Sequence, residues 1–194
     1  MNTMLYTLPL WFQGVKGTTD VQSGIENTPM VLSLVVASII SGTVIKRTGH
    51  YVPMIFVAAI LMATGSGLIT TFNVSTGYSE WTGYQVLFGL GLGSGMQQPI
   101  MAAQTVLEQA DVSIGVALMF LFQSLGGAVW VAVSQNLYAN YLARILPGIF
   151  GIDPSAILKA GATGLVDMVP PDKLGAVLII YNMALHRAFF LPVA

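Results

Sequence analysis

Two glutamines, Gln97 and Gln104, stand seven residues apart inside the stretch 81–107, which carries no charged residue. At helical spacing they share a face with Met101 and nearly with Gly93. Further on, Gln123, Gly127, Trp130 and Ser134 follow i, i+4, i+7, i+11 spacing and line one face of a second helix. An amide, an indole and a hydroxyl beside a glycine suit amphipathic organic molecules, holding a polar edge while the indole covers an apolar body. Each residue also has a structural role open to it. The glutamines can bond between helices, worth about 0.6 kcal/mol on average in membranes, and Trp130 can belong to an interfacial aromatic belt. Gln98 aligns with Thr105, and for it the interhelical bond is the expectation.

Catalytic constellations are missing from the sequence. His50 and His186 are far apart, and neither belongs to a metal-ligand pattern, so both read as interfacial residues. No Ser-His-Asp arrangement can be assembled, and no acid falls in the middle of an apolar run. The chain has no cysteine, which excludes disulfides and thiolate metal sites. These features argue against an enzyme and imply no metal and no cofactor. They also leave the chain without a mid-span carboxylate of the kind that serves as a proton relay.

The elements that must position the glutamines are read from composition. Charged residues make up 8% of the chain, against about 25% in soluble domains, and apolar residues make up 55%. A soluble surface of this size cannot be built from so few charges. The net charge of −1 gives no hint of nucleic acid as a partner. The partner is instead the lipid bilayer, which a helix crosses in about 20 residues. Mapping the charges predicts an all-α membrane protein with complete spans at 29–45, 52–72, 83–106 and 113–138. Segments 1–13 and 188–194 read as partial spans of truncated helices, so the chain reads as a fragment. Between them, 139–187 reads as an outer loop with short amphipathic helices, such as "DPSAILKA" with Asp153 as N-cap.

Basic residues orient the bundle. Lys46 and Arg47 occupy the tightest connection, which places that loop in the cytosol. The 73–80 turn and the 146–171 loop then face outward, and the sequon Asn73-Val74-Ser75 suits that side. Within the third span, Gly89 and Gly93 fall on one face and Gly91 and Gly95 nearly opposite. In lipid, glycine lets helix backbones approach closely. Two opposed pairs predict a central helix wedged between two others, and Gly127 offers a similar contact on the next helix.

The segments "LPLWFQGVKG", "VQSGI", "GYQVLFGLGLGSGMQQP" and "FQSLGGAVWVAVSQN" resemble, in this order, fungal drug:proton antiporters of the major facilitator superfamily. The resemblance covers nearly the whole chain and is to the 14-span multidrug and toxin efflux branch. The loop "GTVIKRTGHY" is similar to a degenerate copy of that superfamily's cytosolic motif, G-x-x-x-D-R-x-G-R. Gly42, Arg47 and Gly49 match it, whereas Lys46 replaces the acid and His50 the later base.

The resemblance implies the C-terminal six-helix half of a major facilitator fold, its first and last helices truncated. It also implies proton-coupled export of hydrophobic or amphipathic drugs and toxins by alternating access, with two halves rocking about a shared site. This half would supply one cavity wall, for which Gln97, Gln104, Gln123 and Trp130 are the candidates. The partners would be the missing N-terminal half and a small substrate. The family's coupling residues lie mainly in the other half, so none is carried over. The plasma membrane is the expected location, with the vacuolar membrane as the alternative. A rival reading is a truncated, non-transporting bundle, or a half that needs a separately encoded partner.

Overall fold

A computed structural model describes residues 2–150, 169 and 171–190. Every regular element among the described residues is an α-helix. In chain order these are α1 (Asn2–Lys16), α2 (Asp20–Glu26), α3 (Thr28–Thr48), α4 (Val52–Ile69), α5 (Tyr78–Gly95), α6 (Gln98–Val106), α7 (Val112–Phe150) and α8 (Pro171–Phe190). Among the described residues, three stretches are long and apolar enough to cross a membrane: Asp20–Thr48, Val52–Ile69 and Val112–Ile145.

The helices belong to two compact units. The first comprises Met1–Thr28, Thr70–Gly77 and Trp130–Ala194. Its core follows from helical spacing: Met4, Leu8, Trp11, Phe12 and Val15 are buried along one face of α1. Val177, Tyr181, Ala184 and Leu185 are buried along one face of α8 with the same periodicity. Gly14 permits the contact, because a Cβ there would collide with the ring of Tyr181. Phe72 joins this core, its ring 4.7 Å from Trp11 and 6.3 Å from Phe189. One buried polar chain runs through it. The Trp11 indole N–H donates to Asn182 Oδ1 at 2.8 Å, and Asn182 Nδ2 donates to the Phe72 carbonyl at 3.1 Å.

The second unit comprises Pro29–Ile69 and Tyr78–Val129, and so holds most of α3, all of α4, α5 and α6, and the first half of α7. Gly49 ends α3. Its N–H bonds the Ile45 carbonyl at 2.8 Å and its φ is 71°, a left-handed stop that an L residue resists.

Two expectations are corrected. The 83–106 span is not one helix but two, α5 and α6, parted at Met96-Gln97. The cause is Pro99, which has no N–H to donate to the preceding turn and instead sits at the start of α6, where none is needed. The loop expected from residue 139 begins later, because α7 continues to Phe150. Tertiary packing carries it past Tyr138: the Tyr138 ring meets Tyr181 edge-on at 5.4 Å, and Leu142 is buried in the core of the first unit. The "DPSAILKA" helix lies outside the described residues, as do the last four residues of the 188–194 span.

Candidate functional site

The glycines of α5 settle what surrounds the glutamines. A Cβ on Gly89 would strike Ser33 Oγ and the Met30 carbonyl, and one on Gly93 the Leu34 carbonyl and the Ala37 methyl, so both face α3. A Cβ on Gly91 would lie 2.6 Å from the Met62 nitrogen, and one on Gly95 3.0 Å from the Ala58 Cβ, so these face α4. From the other side, Gly65 of α4 lies against the Phe88 backbone of α5. With no side chain intervening, α5 seats directly on both neighbours. Gly127 of α7 is half-buried.

Where α5 stops, polar groups gather. Gln98, 2% exposed, donates through Nε2 to the Ser94 carbonyl at 2.8 Å and to Ser41 Oγ at 3.1 Å. Ser41 in turn donates to the Ser94 carbonyl at 3.3 Å, so α3 is tied to the end of α5. Beside this cluster is a cleft of about 240 Å³ lined by Ser38, Ile39, Ser41, Gly42, Ile45, Gln97, Gln98 and Met101. Helical spacing put Gln97 with Met101, and both line the cleft. Ser41 carried no signal in the sequence, since a serine in an apolar helix commonly bonds its own backbone. Gln85, fully buried with neither amide atom partnered, was likewise not singled out.

The other candidates are distributed along α6 and α7. Gln97, Gln104 and Gln123 are exposed on this chain, and all three belong to the second unit. Trp130 belongs to the first unit and is 51% exposed, whereas Ser134, on the same helix, is buried at 3%. Exposed amides on apolar helices leave hydrogen-bonding groups open to whatever covers those helices. At the loop motif, Lys46 and Arg47 are exposed in the last turn of α3, where cations favour the helix C-terminus. Gly42 is exposed, and a Cβ placed on it would meet nothing within 4 Å.

Neither histidine forms part of this cleft. His50 is exposed and its Nδ1 lies 2.7 Å from the Thr48 carbonyl. His186 donates through Nε2 to the Phe72 carbonyl, which can only accept. It lines a second cleft, of about 530 Å³, with Asn73, Val74, Ser75, Ile179, Asn182 and Met183. Nearby, Lys16 donates to the Val74 and Thr76 carbonyls at 2.9 and 2.7 Å and lies 5.5 Å from the Trp11 ring centre. Burial holds the Lys16 ammonium below the usual lysine range, partly opposed by Glu26. Among the described residues, no three metal-ligating side chains converge.

Nearly the whole chain aligns with named transporters. It is 45% identical over 192 residues to an MFS-type efflux pump of Arthroderma benhamiae, an alignment covering 98% of this chain and 36% of that protein. It is 43% identical over 193 residues to the MFS acetylaranotin efflux transporter of Aspergillus terreus, covering 99% of this chain and 43% of that protein. A rubrofusarin-specific efflux pump of Gibberella zeae is 46% identical over 190 residues, 98% of this chain and 35% of that pump. The chain belongs to the major facilitator superfamily. This facilitator chain spans about a third of the length of relatives such as the Arthroderma pump, and its all-helical fold with several apolar spans fits half of such a transporter. It is a multi-pass membrane protein, and its relatives are named as pumps and transporters, not enzymes. No family model and no solved structure matches it.

Proposed function

We propose that this chain forms the C-terminal transmembrane half of a proton-coupled exporter of hydrophobic or amphipathic compounds, working by alternating access against an N-terminal half. The observation that carries this reading is the near-complete alignment with fungal efflux pumps, each matched over only about a third to two fifths of its length. The exposed amides of Gln97, Gln104 and Gln123 and the indole of Trp130 support a cavity-lining role, because apolar helices gain nothing from showing such groups to lipid. The plasma membrane is the proposed location.

Membrane fractions probed with antibody raised to the segment 151–170 give the size of the native polypeptide. A product of roughly 50–60 kDa, set by about twelve to fourteen spans plus loops, supports an exporter. Cells lacking the gene should then retain rhodamine 6G, and a protonophore should produce the same retention in wild-type cells. A product the size of this chain, or retention unchanged by deletion, overturns the proposal in favour of a non-transporting fragment or a half with a separate partner.

A further inference from the structure

Tyr6 of α1 and Gln135 of α7 are bonded across two helices of the first unit, the Gln135 amide nitrogen donating to the Tyr6 hydroxyl oxygen. Helical spacing does not reveal the pair, since its members are 129 residues apart in the chain. Both residues are exposed, and their bond leaves hydrogen-bonding capacity over. Gln135 keeps its carbonyl oxygen and a second amide hydrogen, and the Tyr6 hydroxyl keeps its own hydrogen. Turning the amide over changes which atoms are spent, yet a donor and an acceptor still remain side by side.

Two helices give the depth of this pair. Lys16, which ends α1, donates to carbonyls of the turn that follows α4, so that end of α1 lies at a membrane surface. Tyr6 is ten residues back, about 15 Å along a helix. Arg144 carries the first charge after Gln135, nine residues further along α7, or about 14 Å. The hydrocarbon core is about 30 Å thick, so both helices place the pair near its middle. Lipid there offers no partner to an open donor or acceptor, and polar groups at such depth face a bundle interior or a cavity. Tyr6 is 42% exposed, and Tyr138, three residues on from Gln135, is half-buried. Aromatic rings therefore stand beside the polar pair. An amide and a phenol bring no charge, so their complement is neutral.

We infer that Tyr6 and Gln135 form a two-point binding subsite for a neutral, flat molecule with a hydrogen-bond donor and an acceptor on neighbouring atoms, such as a lactam. The inference rests on the export reading and narrows its substrates to compounds with such an edge.

The test compares 2-quinolone, a lactam, with 1-methyl-2-quinolone, which keeps the rings and the carbonyl and lacks the N–H. Binding is followed by saturation-transfer NMR titration on the native polypeptide, at the length it has in the membrane. The protein is held in phosphatidylcholine nanodiscs, and the signal of empty discs is subtracted. 2-Quinolone should bind about five- to tenfold tighter, the worth of one hydrogen bond. Gln135→Met keeps the side-chain volume and should abolish the preference. Tyr6→Phe keeps the ring and should weaken 2-quinolone severalfold, because its carbonyl loses a donor. A purely structural bond between α1 and α7 would lower the melting temperature of both variants and leave the two probes equal. If Gln135→Met loses helical circular dichroism, Tyr6→Phe decides alone. Equal binding of the probes or none, the result when another segment already covers the pair, overturns the inference. So does 2-quinolone binding that neither substitution changes. This equilibrium needs no alternation, so its failure leaves export standing and a failure of export leaves it standing.

Discussion

Gly93 of α5 lies directly against the Leu34 carbonyl of α3, closer than any side chain would allow. Gly93→Ala should therefore push the two helices apart and cost about 1–3 kcal/mol, the usual range for overpacking a close contact. Gly42→Ala, at an exposed position in α3 with open space around it, should instead raise stability by about 0.5–1 kcal/mol through helix propensity. Thermal unfolding followed by circular dichroism in detergent distinguishes the two. Equal melting temperatures would mean that α3 and α5 are not packed through these glycines.

Glycine spacing was legible because geometry alone fixes it. Residues four apart share a helix face, so "GLGLGSG" already sorts into a pair toward one neighbour and a pair toward the other. The break at Met96-Gln97 was not legible, since a proline in a membrane helix is compatible with either a kink or a full stop. At the break the Gln98 amide bonds Ser41 of α3 and Ser94 of α5, and the contact to α3 is one that a single helix's periodicity does not encode. The extension of α7 past Tyr138 was hidden for a similar reason. Gly148 and the prolines near it suggested a loop, while the burial of Leu142 in the first unit outweighs them.

Pro99→Ala restores the missing N–H, which can then donate to the carbonyl one turn back and join α5 to α6. Amide hydrogen exchange across 96–101 should slow by at least tenfold, about 1.4 kcal/mol of added protection. Unchanged exchange would show that the break is held by the Gln98 cluster and not by the proline.

Gly49 adopts a φ of 71°, and Gly49→Ala should destabilise the chain by about 1–2 kcal/mol, the cost of a left-handed L residue. Arg47→Ala, just before it in the chain and exposed, should stay within about 0.5 kcal/mol of wild type. A melt in which the two variants behave alike would remove the turn as the reason for a glycine in this loop.

Asn182 connects the Trp11 indole to the Phe72 carbonyl in a buried site. Asn182→Leu keeps the volume and strands the Trp11 indole N–H, while the Phe72 carbonyl keeps its bond from His186, so it should cost about 1–3 kcal/mol. Because Trp11 is fully buried, a loosened core also admits water to the indole, and the tryptophan emission should move to longer wavelength. A stable variant with unshifted emission would mean that α1 and α8 are held by apolar contact alone.

Gln97 and Gln123 separate cavity lining from simple packing. Both are exposed on this chain, so truncation removes no buried bond and should leave stability within about 0.5 kcal/mol. If they face substrate, Gln97→Ala and Gln123→Ala in the parent transporter should change rhodamine 6G export severalfold at equal membrane abundance, since a lost polar contact shifts binding by about 0.5–1.5 kcal/mol. The change should also differ between substrates, because only those with a hydrogen-bonding edge lose a contact. Equal export by both variants across several substrates would place these glutamines against lipid or a neighbouring helix and end their assignment to the cavity.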